Sequence, residues 1–185
     1  MVELAVSLTI LMILSAIAIP SLMHSLRTYQ LNDAAARLSD MLKFTRFEAV
    51  RKNKVVAFQL QKFGNDWVAW ADPDNDGNLD PTEKQVHISG FATLLAPGGG
   101  PPAPTTAITN ALNGAALIPT PATPGPLQFD ARGAVRVSGT LTSNVYVFYV
   151  GGNPDQFGYR AVILLPSGAT QVWTASAGGP WKRTG

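Results

Sequence analysis

The sequence predicts an α+β fold: one long N-terminal helix, apolar in its first half, packed on a mostly antiparallel β-sheet domain. Residues 1–23 are almost wholly apolar, residues 24–53 repeat apolar side chains at three- and four-residue spacing, and later segments alternate with a period of two. The 185 residues suffice for one domain with a sizeable core. The absence of cysteine excludes disulfides and any cysteine metal site or nucleophile. A net charge of +2 indicates no particular partner.

The apolar segment, residues 1–23, contains a single charged residue, Glu3. A helix of about 20 residues crosses a bilayer core of about 30 Å, so this segment predicts a transmembrane helix. A cleaved secretory signal would be processed at Ala16–Ala18, but it requires a basic start and a shorter apolar run. A simple membrane anchor explains the segment except for the position of Glu3.

Residues 24–53 are predicted to continue this helix as its amphipathic half. Basic residues in the last turn suit the helix dipole, and the predicted end is at Lys52 and Asn53. The residues that recur at this spacing are Leu31, Ala34, Ala35, Leu38, Met41, Leu42, Thr45 and Ala49. Of these, Leu31, Leu38, Leu42 and Ala49 are predicted to face the sheet.

Residues 54–185 are predicted to form the globular β domain. Gly64 and Asn65 mark a hairpin turn between its first two strands. The predicted strands are Val55–Gln61, Trp67–Ala71, Gln85–Ile88, Pro126–Phe129, Val135–Val137, Val145–Val150, Tyr159–Leu165 and Thr170–Thr174.

A proline-rich insertion, residues 96–126, interrupts this domain. It contains eight prolines and no charged residue. That composition predicts an irregular surface excursion without regular core elements. Its threonines and prolines also make it a candidate for O-linked glycans or subunit contacts.

The segments VELAV at residues 2–6 and IAIP at residues 17–20 resemble the N-terminal segment of type IV pilins and type II secretion pseudopilins. In that family a glutamate precedes a helix-interrupting proline by the spacing that separates Glu3 from Pro20. The family's glutamate is the fifth residue of the mature chain and Glu3 is the third. We therefore expect two further mature residues, and a leader, ahead of Met1.

The resemblance implies a type IV pilin-like fold and an assembly role for Glu3 and Pro20. In pilins the glutamate neutralises the N-terminal amine of a neighbouring subunit, which justifies a carboxylate that costs about 2.5–3.5 kcal/mol inside hydrocarbon. The pilin helix also unwinds locally before the proline in the filament. A kink alone is the alternative, because proline removes a backbone donor and clashes with the carbonyl of Ala16.

The same resemblance implies a life cycle for the chain. It would sit in the inner membrane, be processed by prepilin peptidase, and be polymerised by a pilus or secretion assembly machinery. The product would be a homo-oligomeric helical filament outside the cell, or a periplasmic pseudopilus.

Later segments narrow the resemblance to the GspH/FimT class of pilin-like proteins. Residues 44–53 look like the helix end of that class, and WADPDNDG at residues 70–77 is similar to its aspartate-rich turn. FDARG at residues 129–133 and LPSG at residues 165–168 look like its later strand-turn signatures.

Residues 72–83 match the calcium-loop pattern D-x-[DN]-x-[DN]-G-x5-E, with Gly77 permitting the sharp turn. The flanking segments are predicted strands rather than the helices of an EF-hand. Asp, Asn and Gly also make ordinary hairpin turns, so a metal-free turn stays open. No cofactor is required, and Ca²⁺ is the candidate. The candidate calcium ligands are Asp72, Asp74, Asp76, Asn78, Asp80 and Glu83.

No enzyme signature is present, and His24 and His87 are interpreted as structural because their spacing fits no metal motif. The predicted function is a structural subunit of a type IV pilus-like extracellular filament. The alternatives are a minor pseudopilin of a type II secretion system, a DNA-uptake minor pilin, and a membrane-anchored periplasmic binding domain that never polymerises. DNA uptake would use Arg160, Lys182 and Arg183, although phosphate contacts require clustered positive charge and the net charge is low.

Overall fold

The computed structural model describes residues 2–95, 102–119 and 127–184. Within these ranges the helices are α1 (Val2–Lys52) and α2 (Thr106–Ala111), with a 3-10 turn at Asp155–Phe157. The strands are β1 (Val56–Phe63), β2 (Asp66–Asp72), β3 (Gln85–Ile88), β4 (Thr93–Leu94), β5 (Leu117–Pro119), β6 (Leu127–Phe129), β7 (Val135–Val137), β8 (Thr140–Leu141), β9 (Val145–Gly151), β10 (Tyr159–Leu164), β11 (Thr170–Ala175) and β12 (Lys182–Arg183).

Helix α1 runs continuously through Pro20 and ends at Lys52, as predicted. Asn53 adopts a left-handed conformation with φ of 49°. The Lys54 amide then donates to the Ala49 carbonyl at 3.2 Å, which satisfies an otherwise unpaired acceptor at the helix end. The unwinding expected before Pro20 concerns the assembled filament, and the helix of the single chain is regular there.

Two antiparallel sheets pack against α1, as the sequence predicts. Sheet A has the strand order β3-β2-β1-β6-β7-β8, and sheet B has the order β12-β11-β10-β9-β4. Strand β5 joins sheet B by pairing in parallel with β9. The β1–β2 hairpin turns at Gly64, whose φ of 63° lies in the left-handed region that favours glycine.

The main core lies between α1 and the facing surfaces of the two sheets. The four helix positions predicted to face the sheet are buried, and so are the other four residues of the periodic pattern. Phe58 of sheet A and Phe148 of sheet B meet edge to face beneath the helix, with ring centroids 5.8 Å apart. The amphipathic half of α1 therefore holds two separate sheets in one core.

A second apolar cluster covers the outer face of sheet B. Ile163 and Trp173 project from the strands, and Ala103, Ile108 and Trp181 pack over them. The Trp181 indole donates to the Ala103 carbonyl at 3.3 Å. This bond ties the C-terminal segment to the chain that precedes α2.

The insertion at residues 96–126 differs from its prediction. Residues 102–119 form α2 and β5, and Ile108 is fully buried. The prediction of an irregular excursion without core elements is wrong there because no proline lies between Pro104 and Pro119, which leaves room for a short helix and a strand. Residues 96–101 and 120–126 lie outside the described residues.

Candidate functional site

The first half of α1 projects from the folded domain with its apolar side chains exposed. This part of the helix has a mean hydropathy of 2.4, and none of it is buried. Leu8 is 60% exposed and Ile17 is 70% exposed. By length and composition α1 is able to cross a membrane. Because burying apolar surface is worth about 25 cal/mol per Å², this half requires lipid or protein around it.

Glu3 and Pro20, the two predicted assembly residues, both lie on this exposed half. Glu3 is in the first turn, where a carboxylate suits the positive end of the helix dipole. Pro20 borders a recess that is also lined by Gln156 and Phe157 of the globular domain. Glu3 is thus exposed far from the globular domain, whereas Pro20 lies beside the edge of that domain.

A row of rings fixes that junction. The His24 and Phe157 ring centroids are 5.3 Å apart, and Phe157 meets Phe91 edge to face at 5.2 Å. The Arg27 guanidinium lies over the Phe91 ring at 4.6 Å. His24 therefore has the structural contact that was predicted for it. The two phenylalanines were missed because each lies in a loop without periodicity.

Three of the six predicted calcium ligands converge. One carboxylate oxygen from each of Asp72, Asp74 and Asp76 lies within 4.8 Å of the other two. Asp72 is buried at the end of β2, and its oxygens accept from the backbone amides of Asn75 at 2.5 Å and Gly77 at 3.0 Å. These bonds shape the loop and gather the three carboxylates, which are the hard oxygen ligands that Ca²⁺ prefers.

The other three predicted ligands are held by hydrogen bonds within the loop. The Asp80 amide donates to Glu83 Oε2 at 2.9 Å, and Glu83 Oε1 is buried without a partner. The Asn78 amide donates to Asp76 Oδ1 at 2.7 Å. Asn78, Asp80 and Glu83 therefore belong to the same loop without joining the converging carboxylates in this conformation.

The loop is electrostatically crowded. A hydrogen bond to Asp72 and the charge of Asp76 raise the pKa of Asp74. Burial, followed by the charges of neighbouring aspartates, raises the pKa of Glu83. Hydrogen bonds from Asn78 lower the pKa of Asp76. A bound cation would relieve the repulsion that raises the first two values.

Two of the three predicted nucleic-acid contacts, Arg160 and Lys182, lie in one cross-strand row because each pairs with Thr174 of β11, but they differ in exposure. Lys182 and Arg183 are exposed on β12, at the edge of sheet B. Arg160 is only 6% exposed, and its Nε donates to Asn32 Oδ1 of α1 at 2.6 Å. The Arg160 guanidinium thus lies between the helix and sheet B, recessed from the exposed Lys182, and the nucleic-acid contact stays a prediction.

His87, the other histidine, is exposed on the edge strand β3.

The comparison with protein families decides the identity of the fold. The sequence profile of the family described as type II transport protein GspH matches residues 34–168. The chain belongs to the GspH family. The matched range covers the buried half of α1, the loop at residues 72–83 and the strands up to β10. As a GspH-family chain it is a pilus-like or pseudopilus subunit, which is a structural component and not an enzyme.

Two solved structures are similar to this chain. A crystal structure of the type IV minor pilin FimU from Pseudomonas aeruginosa, in space group P21, is 18% identical with a TM-score of 0.52, covering 78% of this chain and 88% of that one. A second FimU crystal form, P65, is 20% identical with a TM-score of 0.49, covering 77% and 91%. The first match shows the same fold, a long helix packed on antiparallel sheets. A search of curated proteins gave no match.

Proposed function

We propose that this GspH-family chain is anchored in the inner membrane by residues 2–23 and then becomes a structural subunit of a type IV pilus-like extracellular filament. The exposed apolar half of α1 carries the proposal, since none of its most apolar stretch is covered by the protein's own domain. A helix that leaves lipid has to be shielded from water again. Packing against the same segment of other copies provides that shield.

Glu3 supplies the specificity of this packing. Apolar contacts alone set no register, whereas a carboxylate among apolar side chains is stable only when it is paired. We propose that Glu3 pairs with the N-terminal amine of a neighbouring copy. Pro20 would let the helix unwind locally as copies pack, because it already lacks one backbone donor.

Cysteine cross-linking tests this arrangement, because the native chain has no cysteine and one introduced thiol reports one position. Leu11→Cys, in the apolar half, is expected to form disulfide-linked dimers of neighbouring subunits when sheared filaments are treated with a mild oxidant. Phe63→Cys, exposed at the tip of the β1–β2 hairpin, is the matched control and is expected to remain uncross-linked. Recovery of the chain only in the membrane fraction of cells that shed filaments would contradict the proposal.

A minor pseudopilin of a type II secretion system is the second candidate, and the description of the matched family favours it. The two candidates differ in copy number. A bulk subunit dominates the protein of sheared filaments, whereas a minor subunit is a small fraction and secretion fails without it. Quantitative mass spectrometry of filaments, together with secretion by a deletion strain, separates them.

The remaining alternatives make distinct predictions. A DNA-uptake pilin would lose DNA binding on Lys182→Gln and Arg183→Gln together, while filaments persist. An anchored binding domain would never leave the membrane fraction, so no filament fraction containing Leu11→Cys dimers would be recovered.

We also propose that the loop at residues 72–83 binds Ca²⁺. The convergence of Asp72, Asp74 and Asp76 supports it, and the unpartnered Glu83 Oε1 offers a further oxygen in the same loop. When bound, the ion would neutralise the crowded carboxylates and fix the connection between β2 and β3. Extracellular calcium is commonly millimolar, so even a weak site with a dissociation constant of about 10⁻⁴–10⁻³ M would be partly or largely filled.

A further inference from the structure

A groove lies between α1 and sheet B at the end of the domain nearest the apolar helix half. Its volume is about 410 Å³. Thr28 and Asn32 line it from the helix, and Arg160 and Thr174 line it from β10 and β11. Among the residues that the structure describes, no carboxylate lines this groove.

Arg160 is a buried cation, and none of the described residues gives it an anionic partner. Its Nε donates to Asn32 Oδ1 at 2.6 Å and its Nη1 donates to the Tyr159 carbonyl at 2.9 Å. Both acceptors are neutral, and burial alone lowers the pKa of the guanidinium. A buried charge is costly unless an opposite charge compensates it. The guanidinium also has more N–H donors than these two bonds use.

A threonine hydroxyl in the groove also has a free hydrogen-bonding capacity within the described part of the chain. Thr28 Oγ1 is buried without a hydrogen bond, although a threonine on a helix ordinarily bonds to the carbonyl one turn earlier. Ser176 and Thr184 add further hydroxyl groups to the lining. A cation and several hydroxyl groups facing one concave surface are the donors that a phosphate requires.

The groove continues toward the membrane. A recess of about 410 Å³ is lined by Pro20 and Met23, and it shares His24, Gln156 and Phe157 with the groove. At about 1.5 Å per residue, the helix from Val2 to Met23 spans about 33 Å, and the hydrocarbon core is about 30 Å thick. The recess therefore lies at the hydrocarbon boundary, and the groove lies at the level of the headgroups.

We propose that this groove binds the phosphate of an anionic phospholipid headgroup, with the Arg160 guanidinium and the Thr28 hydroxyl as donors. An acyl chain of the same lipid lies in the recess beside Pro20. The inference rests on the membrane-anchored state proposed above. A lipid is favoured over the acidic side chain of a second copy because the phosphate donors and the apolar recess are continuous.

The test uses the 185-residue chain in neutral detergent and compares three probes. Dioctanoyl phosphatidylglycerol carries phosphate and chains, dioctanoylglycerol carries chains only, and inorganic phosphate carries the anion only. Native mass spectrometry counts bound molecules, and hydrogen exchange follows residues 24–32 and 156–160. We expect one phosphatidylglycerol per chain, protection of both segments, and binding at least about tenfold weaker for each of the other two probes.

Two variants test the proposed phosphate donors, and a third variant is the matched control. Arg160→Gln removes the charge but keeps a donor for Asn32, and we expect it to weaken phosphatidylglycerol binding at least about tenfold. Thr28→Val removes the unpartnered hydroxyl at nearly constant shape. We expect it to weaken lipid binding while leaving the unfolding midpoint of the lipid-free chain unchanged or higher. Lys62→Gln loses the same charge at an exposed position on β1 of sheet A, away from the groove, and should bind as the native chain does.

Three results would overturn the inference. Equal losses in Arg160→Gln and Lys62→Gln would indicate non-specific attraction to a charged surface. Inorganic phosphate binding as tightly as the lipid would indicate a free-phosphate site. A dimer that excludes the lipid would assign the groove to a second copy of the chain. Flotation of the native chain with vesicles is scored separately, so a failure of membrane anchoring is distinguishable from a failure of this site.

Discussion

At the scale of single residues, Gly168 lies where turns from the two sheets meet the helix. Its φ is 79°, and an added Cβ would collide with the Gly133 carbonyl oxygen and lie 2.9 Å from Arg46 Cδ. Arg46 Nε donates to that same carbonyl at 3.1 Å. The two strand-turn signatures, distant in sequence, are therefore in contact above α1.

Gly168→Ala is expected to destabilise the chain by about 2–4 kcal/mol, because it adds backbone strain to a clash with backbone. Gly64→Ala has a similar positive φ, but nothing lies within 4 Å of the added Cβ, so it should cost only about 1 kcal/mol. Urea unfolding of the detergent-solubilised chain, followed by tryptophan fluorescence, measures both. Equal losses would mean that contact between the turns is unimportant.

If the loop binds calcium, Asp74→Asn should be at least as stable as the native chain with chelator and less stable than it with calcium. Since the folded pKa of Asp74 is raised, its ionised form disfavours the fold above that pKa, and the penalty is removed as pH falls through it. Asp74→Asn keeps a hydrogen-bond donor for Asp72 without the charge. With chelator its midpoint should equal or exceed that of the native chain, and the difference should vanish in acid.

With a few millimolar calcium, the native chain should gain about 1–2 kcal/mol and Asp74→Asn should gain little. Asp40→Asn, on the exposed face of α1, is the control. Its unfolding midpoint should differ from that of the native chain by the same amount with and without calcium. A native midpoint that is indifferent to chelator would leave the loop as a turn.

Glu3→Ala is expected to leave the chain in the membrane and to abolish or strongly reduce filament assembly. Assembly is reduced because the proposed pair between Glu3 and a neighbouring amine sets the register of packing. Insertion is kept because losing the carboxylate makes the helix more hydrophobic. Flotation measures insertion, and electron microscopy of sheared material measures assembly. Ser7→Ala is the control on the same exposed helix half. Abundant normal filaments from Glu3→Ala would refute the assigned role.

At the scale of elements, the buried stripe of α1 carries the packing of both sheets. Leu38→Ala removes a fully buried side chain and should cost about 2–5 kcal/mol of unfolding free energy. Leu26→Ala is the matched control, because Leu26 is 48% exposed, and it should cost under about 1 kcal/mol. Similar losses at the two positions would contradict the assignment of the buried face.

The elements that the sequence predicts well are those with a long periodic pattern. The stripe from Leu31 to Ala49 repeats over many turns, and strands such as β9 and β10 alternate between two buried faces. Strands β4, β8 and β12 escaped prediction because each has two residues, which are too few to show a period.

The candidate sites were predictable to different degrees. The loop at residues 72–83 is contiguous, so its spacing could be read directly. The environment of Arg160 depends on Asn32, 128 residues away, and no local pattern encodes that contact. A basic residue in a predicted strand was therefore assigned to the surface, where such residues usually lie.

At the scale of the whole molecule, the two halves of α1 divide the chain between two environments. A chain lacking residues 1–23 is expected to be a water-soluble monomer that keeps its fold, because its core uses side chains from Leu31 onward. It should neither float with vesicles nor assemble. Size-exclusion chromatography and electron microscopy test this, and filaments formed by the shortened chain would contradict the helix-packed core.

The same division has a mechanical consequence. The stripe from Leu31 to Ala49 extends about 27 Å along the helix axis, at about 1.5 Å per residue, and it is buried throughout. A pull on the apolar half acts along this axis, so the helix would have to slide past both sheets at once. Contacts loaded in shear share the force and yield together, unlike a hairpin peeled open one residue pair at a time. The geometry of α1 thus makes the joint between anchor and domain resistant to tension applied along the helix.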